Sequence, residues 1–370
     1  MLYRAIGLMS GSSLDGLDIA CVQLQETAGK WNYEILAAEC LPYDEAWTNK
    51  LLQAIDLKAV DYQLLHTAYG HYIGEQVNAF IDKYQFHHQV HLVASHGHTT
   101  FHLPKQQMTA QLGEGAAIAA ITGLPVVSDL RAMDVAFGGQ GAPIVPIGEK
   151  LLLPSYQWFL NLGGIANLSF NHPGKYMAFD VCPANRVLNM LAATTGKPYD
   201  DGGELSATGA VNHALLQQLN RLDYYSKPFP KSLANDFGTS VVFPLIQECG
   251  LPAADALRTY VEHISVQVTA ATSAVLASEK ATGVGGDMQA MLVTGGGAFN
   301  RFLVDRLNEQ LQPFNINTEV PDQQLVNYKE AVVMALIGVL RWREEYNVLS
   351  SVTGATRNSI NGALWMGGEA

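Results

Sequence analysis

The sequence predicts an α/β protein made of two similar halves, each a mixed sheet covered by helices. Three observations carry that expectation. Both halves read as three antiparallel strands followed by alternating helices and strands. Glycine-rich turns follow apolar strands at Gly11 to Asp18, Leu162 to Ala166 and Thr294 to Ala298. A chain of 370 residues is long for one core, so two domains of roughly 150–200 residues are expected.

The first half opens on an apolar strand through Leu2, Ile6 and Leu8, turns through Asp15-Gly16 and leaves on a strand at Ile19 to Leu24. A third strand is expected at Tyr33 to Glu39, helices at Glu45 to Ile55 and Tyr62 to Ile81, and a β-branched strand at Val90 to Ala94 that meets a loop at Ser95. An Ala-rich helix from Gly115 to Thr122 is stopped by Gly123 and Pro125, and Val126 to Ser128 is a short strand. Phe137 to Pro146 (FGGQGAPIVP) cannot be regular structure; lobes of residues 1–146 and 147–370 follow, with the C-terminal helix free to pack back on the first.

The second half repeats the plan. Strands are expected at Trp158 to Leu162, Ala166 to Phe170 and Tyr176 to Asp180, then a helix from Val187 beyond Pro183 and Asn185. After a Gly-rich excursion come a helix at Val261 to Lys280, a strand at Met291 to Val293, a helix at Asn300 to Leu311, a strand at Asn315 to Val320 and a helix at Tyr328 to Arg343. The glycines of Phe137 to Gly141 and Gly202-Gly203 read as hinges or loops.

Composition removes several function classes. Hydrophobic content of 48% against 15% charged residues suits a packed chain rather than a disordered one. The balance of 22 basic and 34 acidic residues, −12, lacks the basic footprint that nucleic acid or an anionic membrane needs. Cys21, Cys40, Cys182 and Cys249 show no CxxC spacing, which points to a reducing, cytoplasmic address. No signal peptide is expected at the start, and the apolar run Ala331 to Leu340 is too short to span a bilayer.

Small residues at Gly11, Ser12 and Ser13 leave N–H groups and hydroxyls free to surround an anion; Asp15 and Asp18 stand where a bound phosphate needs Mg²⁺ beside it. Gly163-Gly164 would pair with that turn as a second phosphate loop. Gly295-Gly296-Gly297 would approach the flat or sugar part of a nucleotide, because glycine lacks a Cβ. The competing reading is three turns chosen for conformation alone, since Asp-Gly between apolar runs is also a hairpin signal. No GKS/T follows any of them, and none fits GxGxxG at the head of a βαβ unit.

Asp180, at a strand's end between Phe179 and Val181, can serve as a general base whose pKa burial would raise, or as a capping carboxylate. Asn185 either orients a substrate hydroxyl or ends a turn. His91, His96, His98 and His102 could meet a metal, yet no nearby carboxylate or cysteine completes a zinc signature, so substrate contact or loop structure competes. Arg131 suits a substrate carboxylate, or an ion pair with Asp129 or Asp134. Glu330 reads as a first-turn helix carboxylate.

Together these motifs resemble the anhydro-N-acetylmuramic acid kinase family, of the actin/hexokinase/DnaK-like fold. MSGTSxDGxD is similar to Met9 to Asp18, and SHGQT to Ser95 to Thr99 with His98 for Gln. VVSDLRAMD, GGQGAPIVP, NLGGIANLS (from Asn161), VTGGGAFN (to Asn300) and YKEA (from Tyr328) follow in unbroken order. The family's FDTGPGN reads Phe179-Asp180-Val181-Cys182-Pro183-Ala184-Asn185 here, and Gly148-Glu149-Lys150 stands where His-x-x-Leu-Phe is usual; both departures bear on substrate choice.

The resemblance implies two actin-like (ribonuclease H-like) lobes with an ATP and substrate cleft between them. It implies an ATP-dependent kinase that opens 1,6-anhydro-N-acetylmuramic acid with water and phosphorylates oxygen 6. The products are N-acetylmuramic acid 6-phosphate and ADP, in peptidoglycan recycling. Asp180 would be catalytic. ATP would meet the turn Gly11, Ser12, Ser13, Leu14, Asp15, Gly16, Leu17 and Asp18, then Gly163, Gly164, Gly295, Gly296, Gly297 and Asn300. His98, Arg131, Asn185 and Glu330 would hold the sugar, Arg131 on its lactyl carboxylate. Mg²⁺ would arrive with ATP, with Asp15 or Asp18 approaching through water and no direct protein ligand assigned. Rival readings are a kinase of a non-anhydro sugar, separable by turnover on the opened sugar; a silent sugar and nucleotide sensor, excluded by sugar-dependent ADP release; and a zinc hydrolase, settled by a metal assay. A homodimer is the default assembly.

Overall fold

The apolar residues of the opening stretch pair as long antiparallel strands in a computed structural model that describes residues 1–11, 13–172, 175–229, 231–234, 236–279 and 288–368. The chain divides into two units, Met1–Pro154 with Tyr328–Ala370, and Ser155–Asn327.

In the first unit, β1 (Leu2–Ser10), β2 (Gly16–Thr27) and β3 (Lys30–Pro42) form an antiparallel triplet. The tight hairpin is at Ala28-Gly29, both at positive φ, and not at Asp15-Gly16. Gly16 already belongs to β2 and is pressed on β3: a Cβ there would lie 2.6 Å from the Leu41 carbonyl oxygen. β4 (Leu92–Leu103) runs parallel to β1, then pairs antiparallel with β5 (Met108–Leu112), which the sequence reading missed. The expected loop at Ser95 is therefore strand. Leu8 faces Ser95 but Ser10 faces His98, so β4 carries an extra residue, and Gly97 at φ +70° takes the bulge. β6 (Val126–Ser128) and the strand Ala363–Trp365 complete an order Ala363–Trp365, β6, β4, β1, β2, β3.

Helix Ala59–Tyr84 buries Tyr69, Ile73, Val77 and Phe80 at helical spacing, in one core with Leu8 and Ile19. The last long helix runs Gln323–Trp342, earlier than expected, because Asp322 Oδ1 accepts from Leu325 N–H at 2.9 Å. Glu330 thus stands past the second turn, and the first-turn dipole reading falls. The same helix lies hard on β1, since a Cβ on Gly7 would sit 1.8 Å from the Ala331 carbonyl oxygen.

In the second unit, β7 (Trp158–Leu162), β8 (Ile165–His172) and β9 (Lys175–Pro183) are again antiparallel, with β10 (Gln289–Thr294) parallel to β7 and β11 (Ile316–Glu319) parallel to β10. The order β11, β10, β7, β8, β9 repeats β6, β4, β1, β2, β3. The expected pair of similarly built mixed sheets flanked by helices is what the chain forms. Helix Ala253–Glu279 begins before the expected Val261, and Lys280 lies outside the described residues. Its Tyr260, Val261 and Ile264 share a core with Trp158 and Phe170, whose rings are 4.2 Å apart. Among the described residues, no helix is long and apolar enough to cross a membrane.

Gly7→Ala forces the last helix off the sheet. We expect a loss of about 1–3 kcal/mol, read as a lower urea midpoint; an unchanged midpoint removes the Gly7–Ala331 approach as a packing constraint.

Candidate functional site

In the second unit, Asp180 on β9 lies opposite Asn167 of β8. Ala166 faces Cys182 while Asn167 faces Asp180, so Val181 is the extra residue of a bulge that re-aims the carboxylate. Asn167 Nδ2 donates to Asp180 Oδ1, and Leu233 N–H donates to Oδ2 at 2.8 Å. The main chain is held too: Asp180 N–H donates to the Lys231 carbonyl at 3.0 Å, and its own carbonyl accepts from Tyr224 Oη at 2.7 Å. Burial pushes the carboxyl above its ordinary range, while the donors from Leu233 and Asn167 pull the other way. Asp180 is not a helix cap, because helix Asn185–Ala193 has Ala184 at its N-cap. Sequence reasoning did not single out Asn167, Tyr224 or Leu233. Asn167 could have been found as a polar residue within an apolar strand; the other two come from a distant loop.

The β7–β8 turn is fastened to the start of that helix. Ala184 N–H donates to the Gly164 carbonyl at 2.8 Å and Asn185 N–H to the Gly163 carbonyl at 3.0 Å. Asn185 Nδ2 donates to the Leu162 carbonyl at 2.8 Å, so its amide nitrogen is already engaged. The turn after β10 packs on the same group: a Cβ on Gly297 would lie 2.6 Å from Leu162 Cβ, and one on Gly295, at φ +80°, 2.7 Å from Asn161 Oδ1. Asn300 caps helix Arg301–Leu311 by accepting from Leu303 N–H at 3.0 Å. Gly203 also presses on it, since a Cβ there would come 2.2 Å from Asn300 Oδ1.

Other glycines have no such reason. An added Cβ would meet nothing closer than 3.4 Å at Gly11 and Gly296, 3.5 Å at Gly163 and 3.8 Å at Gly164, and none of these four needs positive φ. Neither packing nor backbone conformation within the chain requires glycine there. Backbone left bare at the ends of β1, β7 and β10 fits close approach by a ligand such as a nucleotide. Thr294 Oγ1, at the head of the third turn, is buried and has no hydrogen-bond partner among the described residues, as an acceptor or donor kept for a ligand would be.

In the first unit, Ser13 Oγ donates to Asp15 Oδ1 at 2.7 Å and Leu14 takes φ +58°, while Leu17 turns its side chain into the core. Ser12 lies outside the described residues. Asp18, on β2 opposite Met9 and Cys40, has its pKa raised from 3.8 to about 6, chiefly by burial and also by Asp15 and Glu330; a hydrogen bond with the Cys40 thiol opposes this. Asp15 and Glu330 thus add to the pressure on the Asp18 charge rather than relieve it, and a cation brought by a phosphate would relieve it.

The histidines go four ways. His91 Nδ1 accepts from Arg4 N–H at 3.0 Å, and His102 Nδ1 meets Thr109 Oγ1 at 3.0 Å. His96 accepts through Nε2 from Arg131 Nε at 2.8 Å and turns Nδ1 to the Gly97 carbonyl at 2.8 Å. Burial, with Arg131, pushes its pKa down to about 3, so it is neutral. His98 Nδ1 meets Ser10 Oγ at 3.1 Å. No group of three or more His, Cys, Asp or Glu could hold a metal among the described residues.

Arg131 also donates through NH1 to the Gly141 carbonyl at 2.6 Å, leaving NH2 as the guanidinium nitrogen without a hydrogen bond to a described residue. It forms no ion pair with Asp129 or Asp134 within the described residues; Asp134 instead accepts from Gly141 N–H at 2.8 Å and Thr353 Oγ1 at 2.7 Å. Burial lowers the Arg131 pKa to about 10, and Glu330 and Asp134 sustain the charge.

Two mixed sheets of one strand order, each flanked by helices, define a two-unit α/β protein. The sequence profile described as anhydro-N-acetylmuramic acid kinase matches residues 3–367. Curated proteins of that name are similar along their whole lengths: 31% identical in Synechococcus elongatus, covering 98% of this chain and 99% of the relative; 32% in Vibrio parahaemolyticus, covering 97% of each; and 33% in Gloeobacter violaceus, covering 95% and 96%. The chain belongs to the anhydro-N-acetylmuramic acid kinase family.

Asp18 sets a pH dependence. Its raised pKa means that the folded chain holds the proton more tightly than the unfolded one; its stabilising contribution is complete below pH 3.8 and is lost as pH rises through about 6. Asp18→Asn is therefore expected to exceed the parent chain in stability at pH 8, by on the order of 2–3 kcal/mol, with the gap closing toward pH 4. Urea unfolding at both pH values checks this, and a gap independent of pH removes the buried charge as its cause.

Proposed function

We propose that this chain phosphorylates 1,6-anhydro-N-acetylmuramic acid from ATP while opening its anhydro bridge, as the name shared by its relatives implies. The observation that carries the reading is Asp180: a half-buried carboxylate, fixed at both oxygens by Asn167 and Leu233, in the unit that carries the bare Gly163-Gly164 and Gly296 turns. Each oxygen keeps lone-pair capacity for a water proton.

The step balances as follows. A water oxygen bonds to the anomeric carbon, and its proton passes to Asp180. The bond between that carbon and the bridging oxygen breaks, and the freed oxygen 6 bonds to the γ-phosphorus as the β,γ-bridge of ATP breaks to ADP. Mg²⁺, when bound with ATP, supplies neutralisation of phosphate charge. The chain's own share is positioning. Backbone at Gly11, Gly163, Gly164 and Gly296 leaves room for phosphates, with Ser13, Asp15 and Asp18 on the first turn and Gly295, Gly297 and Asn300 shaping the third. Arg131 would offer NH2 to the lactyl carboxylate, with His98, Asn185 and Glu330 as further sugar contacts. Four free cysteines accord with a cytoplasmic setting. The non-anhydro kinase and the silent sensor have no feature that favours them over the family reading.

Asp180→Asn keeps the shape but cannot take a proton. Turnover on the anhydro sugar is expected to fall at least about a hundredfold, with ATP binding by calorimetry unchanged; a fully active variant removes Asp180 from the mechanism. Arg131→Lys is expected to raise the KM for the sugar at least about tenfold with the KM for ATP little changed. An unchanged KM ends the carboxylate assignment.

A further inference from the structure

His98 stands where SHGQT has glutamine, and its surroundings explain how an imidazole takes that place. Its Nδ1 meets Ser10 Oγ at 3.1 Å, Tyr43 Oη donates to the same Ser10 oxygen at 2.8 Å, and Tyr69 Oη lies 2.5 Å from Tyr43 Oη. This line of groups is dry at its far end: Tyr69 is 0% exposed, Ser10 2% and His98 7%. Trp47 lies 5.5 Å and Tyr72 5.9 Å from the Tyr69 ring, closing off that end with aromatic surface. Burial keeps both phenols protonated, with Tyr43 pushed up to about 12 and Tyr69 well above its ordinary value.

Proton counting fixes the direction. A phenol has one proton. Tyr43 gives its own to Ser10, so the proton between the phenols is Tyr69's. Ser10 then has a single proton left, and His98 Nδ1 either accepts it or points its own N–H at Ser10. The second arrangement leaves the buried Ser10 hydroxyl proton only the Tyr69 oxygen, with which it forms no hydrogen bond of ordinary geometry among the described residues, at about 1–3 kcal/mol. The first satisfies every group of the relay and leaves the Nε2 proton of His98 to be met from outside it.

We propose that the relay Tyr69, Tyr43, Ser10 locks His98 as the neutral tautomer that carries its proton on Nε2, a donor turned away from the relay toward an acceptor oxygen of the sugar. Glutamine would serve through the same polarity, accepting from Ser10 through Oε1 and donating through Nε2. Tyr43, Ser10 and Tyr69 are positioning residues that act through His98. Nε2 makes no hydrogen bond to a described residue, and His98 is paired with Ser10 of β1, next to Gly11. The sugar's part in this rests on the kinase reading above; the tautomer does not.

Two measurements test the proposal on the full chain. In ¹⁵N-histidine-labelled protein, long-range ¹H–¹⁵N correlation should show the resonance lost in His98→Gln as a single tautomer, protonated on Nε2. An Nδ1–H or averaged pattern overturns the relay whether or not the protein phosphorylates the sugar. In steady-state kinetics, His98→Ala should raise the KM for the anhydro sugar about tenfold, and His98→Gln should restore it to within about threefold. Tyr43→Phe should raise the same KM about fivefold, the size of one neutral hydrogen bond, with the KM for ATP unchanged, and should add nothing in a His98→Ala background. An equal effect of Tyr43→Phe in both backgrounds marks it as merely structural and overturns its action through His98. Loss of turnover in Asp180→Asn alongside these results keeps the two readings separate.

Discussion

Two main-chain hydrogen bonds, from Ala184 N–H to Gly164 and from Asn185 N–H to Gly163, set the geometry on which the second unit's site depends. They join the β7–β8 turn to the first residues after β9, so the glycine turn and the strand bearing Asp180 cannot move independently. Asn185 adds its side-chain bond to Leu162, and Gly297 closes against Leu162 from β10's side. Backbone groups removed from water must find partners. Here the partners are one another's turns, which gathers three strand ends into one place. The β9 bulge at Val181 then sets which way Asp180 faces.

The first unit meets the same requirement with side chains. The bulge at Gly97 lets β4 run on past β1, putting His96 and His98 on successive parts of one strand with separate duties. His96 can accept from Arg131 only because burial keeps it neutral; an imidazolium would have no lone pair for a guanidinium. Arg131 is thereby fixed at Nε and NH1, which preorganises a cation that burial disfavours and that Glu330 and Asp134 sustain.

The antiparallel triplets and the long helix were legible because each rests on local pattern: apolar runs mark β1 and β2, and within Tyr62 to Ile81 the residues Leu65, Val77 and Ile81 are buried at helical spacing, although Leu64 on the same pattern is exposed. Element ends were less so. Asp322 capping moved the last helix upstream, and a glycine bulge turned an expected loop at Ser95 into strand. β5 was missed because its five residues carry too short a pattern to separate from loop. Of the candidate site, the glycine turns and Asp180 were proposed from residue type, which does not say which glycines serve packing. A Cβ at Gly16, Gly295 or Gly297 would strike a neighbour, whereas one at Gly11, Gly163, Gly164 or Gly296 would not. The partners of Asp180 and His98 come from residues tens of positions away, which no local pattern announces. Glu149, noted as a departure, finds Lys329 at 3.0 Å, with both side chains 4% exposed.

Buried carboxylates separate framework from chemistry. Asp134 accepts from Gly141 N–H and Thr353 Oγ1, and Asp200 from Leu205 N–H at 2.8 Å and Ser206 N–H at 2.9 Å. Asp134 ties down loop backbone and Asp200 the start of helix Glu204–Thr208, and the charge of each is met by dipoles supplied within the fold. Asp18 is different: its hydrogen-bond partner is a thiol, and the charges that act on it, Asp15 and Glu330, have its own sign. A fold selected for stability alone would replace such a group, because an uncompensated buried charge destabilises the chain at neutral pH. Its place on β2, just past the first glycine turn, supports the proposed reading, in which the missing compensation comes from outside the chain as positive charge delivered with a phosphate.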